Sequence, residues 1–232
     1  MKKGRNLRSV NTDGGVNLQF KLLSAIGIII IVSGHCYHGG MELAYNWFPP
    51  YSYNLALFVF ISGYFYKTDY EENIGKYIWK RTKRLLIPAY LWNIFYGGMV
   101  AFLGLFGFTI GAKPDLYNLF VMPFVDGEAF QYNLGSWFVY PLFLVCIINV
   151  LFRKFLKLIH LDNEFIVLIV YLAIGMIGIN TAIGNPTAIN GIVKLLVRTM
   201  FFLPCYEFGR FYKAVLEKKD TLNNVAYFAI IS

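Results

Sequence analysis

Residues 28 to 40, "IIIIVSGHCYHGG", set four isoleucines and a valine directly ahead of His35. With "LLSAIG" in front, the run approaches the roughly 20 apolar residues that cross a bilayer core of about 30 Å. The stretch reads as a transmembrane helix with an imidazole near its end. The rest of the chain repeats the pattern. Hydrophobic residues make up 57% of its 232 positions and mean hydropathy is +0.53, beyond the roughly 45 to 50% apolar usage of soluble domains. Apolar runs near 21–39, 48–66, 87–110, 135–152, 164–183 and 191–212 predict six spans. A further run, Val225 to Ile231, is too short to cross, and the sequence stops inside it. The expectation is an all-α fold: a polytopic transmembrane helix bundle of about six full spans plus a partial seventh, truncated at the C-terminus. Residues 1–20 are read as a basic cytoplasmic tail and 21–232 as the transmembrane domain.

The formal charge of +8 does not point to nucleic acid, because the Lys and Arg residues collect in short segments between apolar runs. Segment 67–84 carries Lys67, Lys76, Lys80, Arg81, Lys83 and Arg84. The next candidate inner loop carries Arg153, Lys154 and Lys157, and a third carries Lys213, Lys218 and Lys219. The alternate loops, 111–134 and 184–190, hold one lysine between them. Basic residues stay on the cytoplasmic side, which puts the N-terminus inside and predicts a multi-pass protein of the cell membrane. Cys36, Cys146 and Cys205 are odd in number and lack CxxC spacing, so neither a disulfide framework nor a metal site is indicated. No small-residue cleavage site follows the first apolar run, which argues against a cleaved signal peptide. Within 111–134, "LYNLFVMPFV" is apolar over about ten residues and suggests an interfacial or re-entrant segment.

His35 lies fourteen residues after Lys21, roughly 21 Å along a helix axis, so it sits in the outer part of the membrane. An ionisable group at that depth faces the bundle interior or a watered cavity and marks a functional site, or else is a structural histidine bonded to a neighbouring carbonyl. Arg81 and Arg84 are three apart and share a helix face near Pro88, a pair suited to capturing phosphates. The alternative is an ordinary basic flank that fixes topology and meets anionic lipid heads. In "FVFISGYFYK", residues 58–67, Ser62 and Gly63 read first as helix-packing residues. Trp137 opens the fourth span where an interfacial aromatic belt also puts one, and Pro141 invites a kink beside it. The sixth span is unusually polar. Glu207 and Arg210 at i and i+3 are placed to pair, whereas Arg198 has no obvious partner and Lys194 lies a turn before it.

"LLSAIGIIIIVSGHC", "FVFISGYFYK", "KRTKRLLIPAYLW" and "SWFVYPLF", in that order, resemble acyltransferase family 3, integral membrane O-acyltransferases. The likeness is carried by the first 145 residues or so, with "YEFGRFY" fitting further on. It implies a bundle of about ten helices in a bacterial cytoplasmic membrane. It also implies transfer of acetyl or other short acyl groups, with acyl-CoA as co-substrate rather than bound cofactor, to a cell-surface glycan or lipid-linked saccharide. By position His35 matches the family's first-helix histidine, and Arg81 and Arg84 match its basic motif. The family commonly has Arg or Lys eleven residues before the histidine, where this chain has Ser24. Lys21, one turn earlier and on nearly the same face, is the candidate substitute.

The expected chemistry follows. His35, with a pKa near working pH, is the base that takes a proton from a sugar hydroxyl as it attacks a thioester. The coenzyme A phosphates are expected at Arg81 and Arg84. Lys21, Trp137 and Arg198 are further candidates for donor or substrate binding, and Asn133, Ser136 and Trp137 for oxyanion donors. An acyl-enzyme through Ser33 or Ser62 is a variant route. Two other classes stay open: a transporter or flippase with His35, Arg198 and Glu207 lining a path, and a non-catalytic membrane subunit.

Overall fold

Leu22, Ile26, Ile28, Ile29 and Val32 stay exposed along α1 (Leu18–Cys36), as do Phe165, Ile169, Met176, Ile177 and Ile183 along α7 (Glu164–Gly184). Water makes that arrangement unfavourable, whereas lipid tails solvate it and leave the helices to satisfy their own backbone groups. The computed structural model describes residues 18–36, 50–126 and 130–219, and every regular element among the described residues is helical. The basic tail before residue 18 and the run Val225 to Ile231 lie outside them. Three helical stretches, Ile74–Gly104, Gly135–Leu158 and Glu164–Gly184, are long and apolar enough to cross a membrane. α8 (Gly191–Phe211) has the length, but Lys194, Arg198, Glu207 and Arg210 set it apart from them. The sixfold span count is therefore reached only in part.

Backbone direction alternates along the chain. Phe20 stacks on Tyr64 at 4.1 Å, and Gly27 faces the Phe58 ring, so α1 and α2 (Pro50–Tyr64) run antiparallel. α2 and α8 cross in backbone contact. A Cβ at Gly63 would overlap the Tyr206 carbonyl, and one at Gly209 would overlap that of Phe60. Gly175 and Gly178 of α7 admit Pro204 and Met200 of α8 in the same way. Small residues let helices approach where lipid supplies no hydrophobic drive between them, so the packing role read for Gly63 holds. Its neighbour Ser62 faces a cleft instead. α6 (Val139–Leu158) is joined to α7 through Asn149 and Tyr171, then Arg153 and Glu164. One end of the bundle, here called the basic end, thus gathers Phe20, Tyr64, Glu71, Lys157, Glu164 and Arg210.

Two boundaries differ from the sequence reading. The third helical stretch begins at Ile74, with α3 (Ile74–Arg81) passing through a wide five-residue turn, Thr82–Leu86, into α4 (Ile87–Gly104). Pro88 therefore stands inside a continuous helical path rather than near its start. Its ring lacks the N–H that the Arg84 carbonyl would receive, and a wide turn just upstream absorbs the mismatch. α6 likewise runs through Arg153, Lys154 and Lys157, which are helical rather than loop residues. A hydropathy window ends at the first charge; the i to i−4 ladder does not.

After Gly104 the chain folds back along α4. Tyr90 donates to the Phe120 carbonyl at 2.9 Å, and Tyr90 is fourteen residues before Gly104, roughly 21 Å along the axis. The segment predicted as interfacial or re-entrant becomes a wide turn, Tyr117–Val121, and α5 (Met122–Val125). Such irregular backbone holds only where protein groups satisfy it. Asn93, 1% exposed, donates to the carbonyls of Leu119 (2.7 Å) and Asn118 (3.3 Å).

Candidate active site

α3 is amphipathic, and its helical repeat sends Tyr77 inward while Lys80 and Arg81 reach the rim. With Arg84 on the wide turn they line a cleft of about 250 Å³ against Phe58, Ile61, Ser62 and Phe65 of the α2 region. Tyr70, from the short turn Thr68–Glu71, forms the remaining wall and stacks on Tyr77 with ring centroids 4.6 Å apart. Two of these cations are steadied by phenols. Arg81 Nε donates to the Tyr77 hydroxyl at 3.1 Å, and Lys80 Nζ donates to that of Tyr70 at 3.5 Å. Their charged groups also lie about over the rings, 5.2 Å from centroid in both cases. The cleft is thus cationic and aromatic at once, and the structure brings Arg81 and Arg84 together as the sequence predicted.

His35 falls one residue before the end of α1, and its side chain lies outside the described residues. Its level can still be read. Gly27 faces Phe58, which lines the cleft, and His35 is eight residues on, roughly 12 Å along the axis toward the opposite end. Phe58 also meets Phe138 (6.5 Å), which meets Trp137 (6.3 Å). An aromatic partition therefore runs from the cleft to the other end. Lys21 is exposed on α1 and does not line the cleft, and Ser24 donates its hydroxyl to the Phe20 carbonyl of its own helix at 2.7 Å.

At the opposite end Arg198 lies over the Trp137 ring, 4.0 Å from its centroid, and donates to the Asp126 carbonyl at 3.4 Å. The expectation that Arg198 lacks a partner is corrected: the partner is an indole on another helix, invisible to spacing within α8. Lys194 pairs with Asp126 at 3.0 Å. Of the three oxyanion candidates, Asn133 donates from Nδ2 to Asn93 Oδ1 (3.2 Å), the Ser136 hydroxyl donates to the Asn133 carbonyl of its own turn (2.9 Å), and Trp137 lies under Arg198.

The expected Glu207–Arg210 pair is also corrected. Glu207 binds Arg153 of α6 at 2.5 Å, and Arg210 binds Glu164 at 2.7 Å. Arg153, fully buried, further meets Glu164 at 2.8 Å and Asp162 at 3.4 Å. Buried charges demand direct partners, and three helices supply them where one helix face does not. By sequence Arg153 reads as a topology signal, and Glu207, an intramembrane carboxylate in need of a cation, has Arg210 within reach on its own helix, so nothing in the spacing points to α6. The same network reaches the cleft's back wall. Glu71, 3% exposed, takes Lys157 at 2.9 Å and Arg210 at 3.5 Å, and accepts from Tyr66 at 3.1 Å. Burial, and then the Glu71 charge, hold the Tyr66 phenol above its ordinary pKa, so it remains a donor.

No curated protein and no solved structure matches the chain. The profile of a family described as an acyltransferase domain, in contrast, matches residues 17–232, which takes in the cleft, the partition and the charge network alike. The chain belongs to acyltransferase family 3, and it is a membrane acyltransferase.

Proposed function

We propose that this protein moves an acetyl or other short acyl group from acyl-CoA to a hydroxyl of a cell-surface or exported polysaccharide or glycolipid, within the cell membrane. The observation that carries the reading is the cleft at the basic end, where Arg81, Arg84 and Lys80 surround a space walled by Tyr70 and Tyr77. Guanidinium groups suit bidentate capture of phosphates, and phenol rings suit an aromatic base. Basic residues favour the cytoplasmic face, which is where acyl-CoA is found. The phosphates would rest at Arg81 and Arg84, with the thioester directed along the partition toward His35, roughly 12 Å beyond the level of Gly27.

In this reading the imidazole of His35 takes the proton of the acceptor hydroxyl as that oxygen attacks the thioester carbonyl carbon. The carbon–sulfur bond then breaks, the proton passes to the departing thiolate, and the products are an O-ester and free coenzyme A. Positioning the two reactants supplies much of the acceleration. On the acceptor side, the Trp137 ring under Arg198 offers a flat apolar face beside a cation, which suits a sugar ring carrying polar or anionic groups. Lys21, exposed on α1 outside the cleft lining, would act on the donor only as a nearby positive charge.

The test is mass spectrometry of surface and secreted glycans from a deletion strain complemented with wild type or with His35→Ala at equal abundance. The expected result is loss of O-acyl groups on deletion, return with wild type and no return with His35→Ala. The mass difference identifies the acyl group. Unchanged O-acylation in every strain overturns the reading.

A further inference from the structure

We propose that Glu71 is a positioning residue for the donor cleft, holding the Tyr70 wall in place by anchoring its turn to the charge network that joins α6, α7 and α8. The inference rests on the reading of that cleft as the acyl-CoA site. Tyr70 and Glu71 are consecutive in the turn Thr68–Glu71 and face opposite ways: Tyr70 lines the cleft and Glu71 is buried behind it. The anchor has three points, two on helices and one in the connection after α2. Lys157 of α6 pairs with one carboxylate oxygen at 2.9 Å. Arg210 of α8 approaches the other at 3.5 Å, and Tyr66, between α2 and the turn, donates to that same oxygen at 3.1 Å.

Tyr66 then carries the constraint forward. Its ring lies edge-on to Tyr70 (5.6 Å) and to Tyr77 (6.1 Å), the two phenols that steady Lys80 and Arg81. Arg210 also sits 5.1 Å over the Tyr66 ring while binding Glu164. A shift of the Glu71 carboxylate therefore moves both walls of the cleft and the cations they hold. A turn of four residues has little stability of its own, so its placement depends on such tertiary bonds. Neighbouring Asp69 and Glu72 are exposed, which marks burial at Glu71 as a feature of this position and not of the segment.

The experiment measures label transfer from acetyl-CoA into envelope glycan in membrane vesicles holding the full chain, over a range of acetyl-CoA concentrations. Glu71→Gln, which removes the charge and keeps the shape, is expected to raise the donor KM about tenfold while kcat stays within about twofold. Glu71→Asp is expected to recover part of that loss, and Glu72→Gln to match wild type. A merely structural role would lower the amount of active protein and leave KM unmoved. Should Glu71→Gln fail to accumulate, Lys157→Met decides the matter, because its side chain is 49% exposed. It is expected to raise the donor KM about threefold, and an unchanged KM overturns the inference. An unchanged KM in well-expressed Glu71→Gln, or an equal rise in Glu72→Gln, overturns it too while leaving the acyltransfer reading intact. A wild type that transfers no label from acetyl-CoA or from any other short-chain acyl-CoA overturns both.

Discussion

At the basic end four carboxylates, Glu71, Asp162, Glu164 and Glu207, meet three cations, Arg153, Lys157 and Arg210. At the opposite end the buried polar groups are chiefly neutral: Asn93 and Asn133 bond to each other, and Asn93 serves the carbonyls of a folded-back segment. Both arrangements join distant parts of the chain, but with different energetics. A buried ion deprived of its partner keeps its full desolvation cost, whereas a lost amide leaves only a neutral acceptor unsatisfied. The basic end is therefore organised all or none, which suits the role proposed for its cleft, holding a large anionic donor. The opposite end combines weaker bonds with Arg198 over the Trp137 ring, which suits the role proposed for it, admitting a bulky acceptor.

Breaking the comparison at its strongest point means removing the hub. Arg153→Met leaves Glu207 and Glu164 without their shared cation and is expected to destabilise by about 3–5 kcal/mol, read as a lowered midpoint of thermal unfolding in detergent. Adding Glu207→Leu to that variant should recover much of the loss, because no buried carboxylate then faces an apolar side chain; a double variant no better than the single one would count against the ionic account. A smaller effect is expected from Asn93→Leu, about 1–3 kcal/mol, since the carbonyls of Asn118 and Leu119 lose their donor. Acyl-CoA binding should survive in that variant, because the cleft is far from it along α4. Smallest is Arg198→Lys, expected to cost under about 1 kcal/mol of stability while weakening acceptor KM more than donor KM. The guanidinium over the Trp137 ring is lost and the charge is kept. An equal effect on both substrates would mean that the two ends are not separate sites.

Much of the architecture follows from the chain alone. The runs that become α1, α2, α4, α6, α7 and α8 are where hydropathy put them, because long apolar segments have only one way to satisfy their backbone in lipid. The order of four short motifs carried the family, which the match over residues 17–232 bears out. Arg81 and Arg84 were legible as a pair because i and i+3 fix a shared face. Tertiary structure decided what lies across helices. It gave Arg198 an indole, gave Glu207 the arginine of α6 in place of Arg210, and made Glu71, an unremarked acid in a basic segment, the anchor of the cleft wall. Spacing along one helix determines which residues can face the same way, but a buried charge selects its partner by distance in three dimensions, and only packing sets that distance.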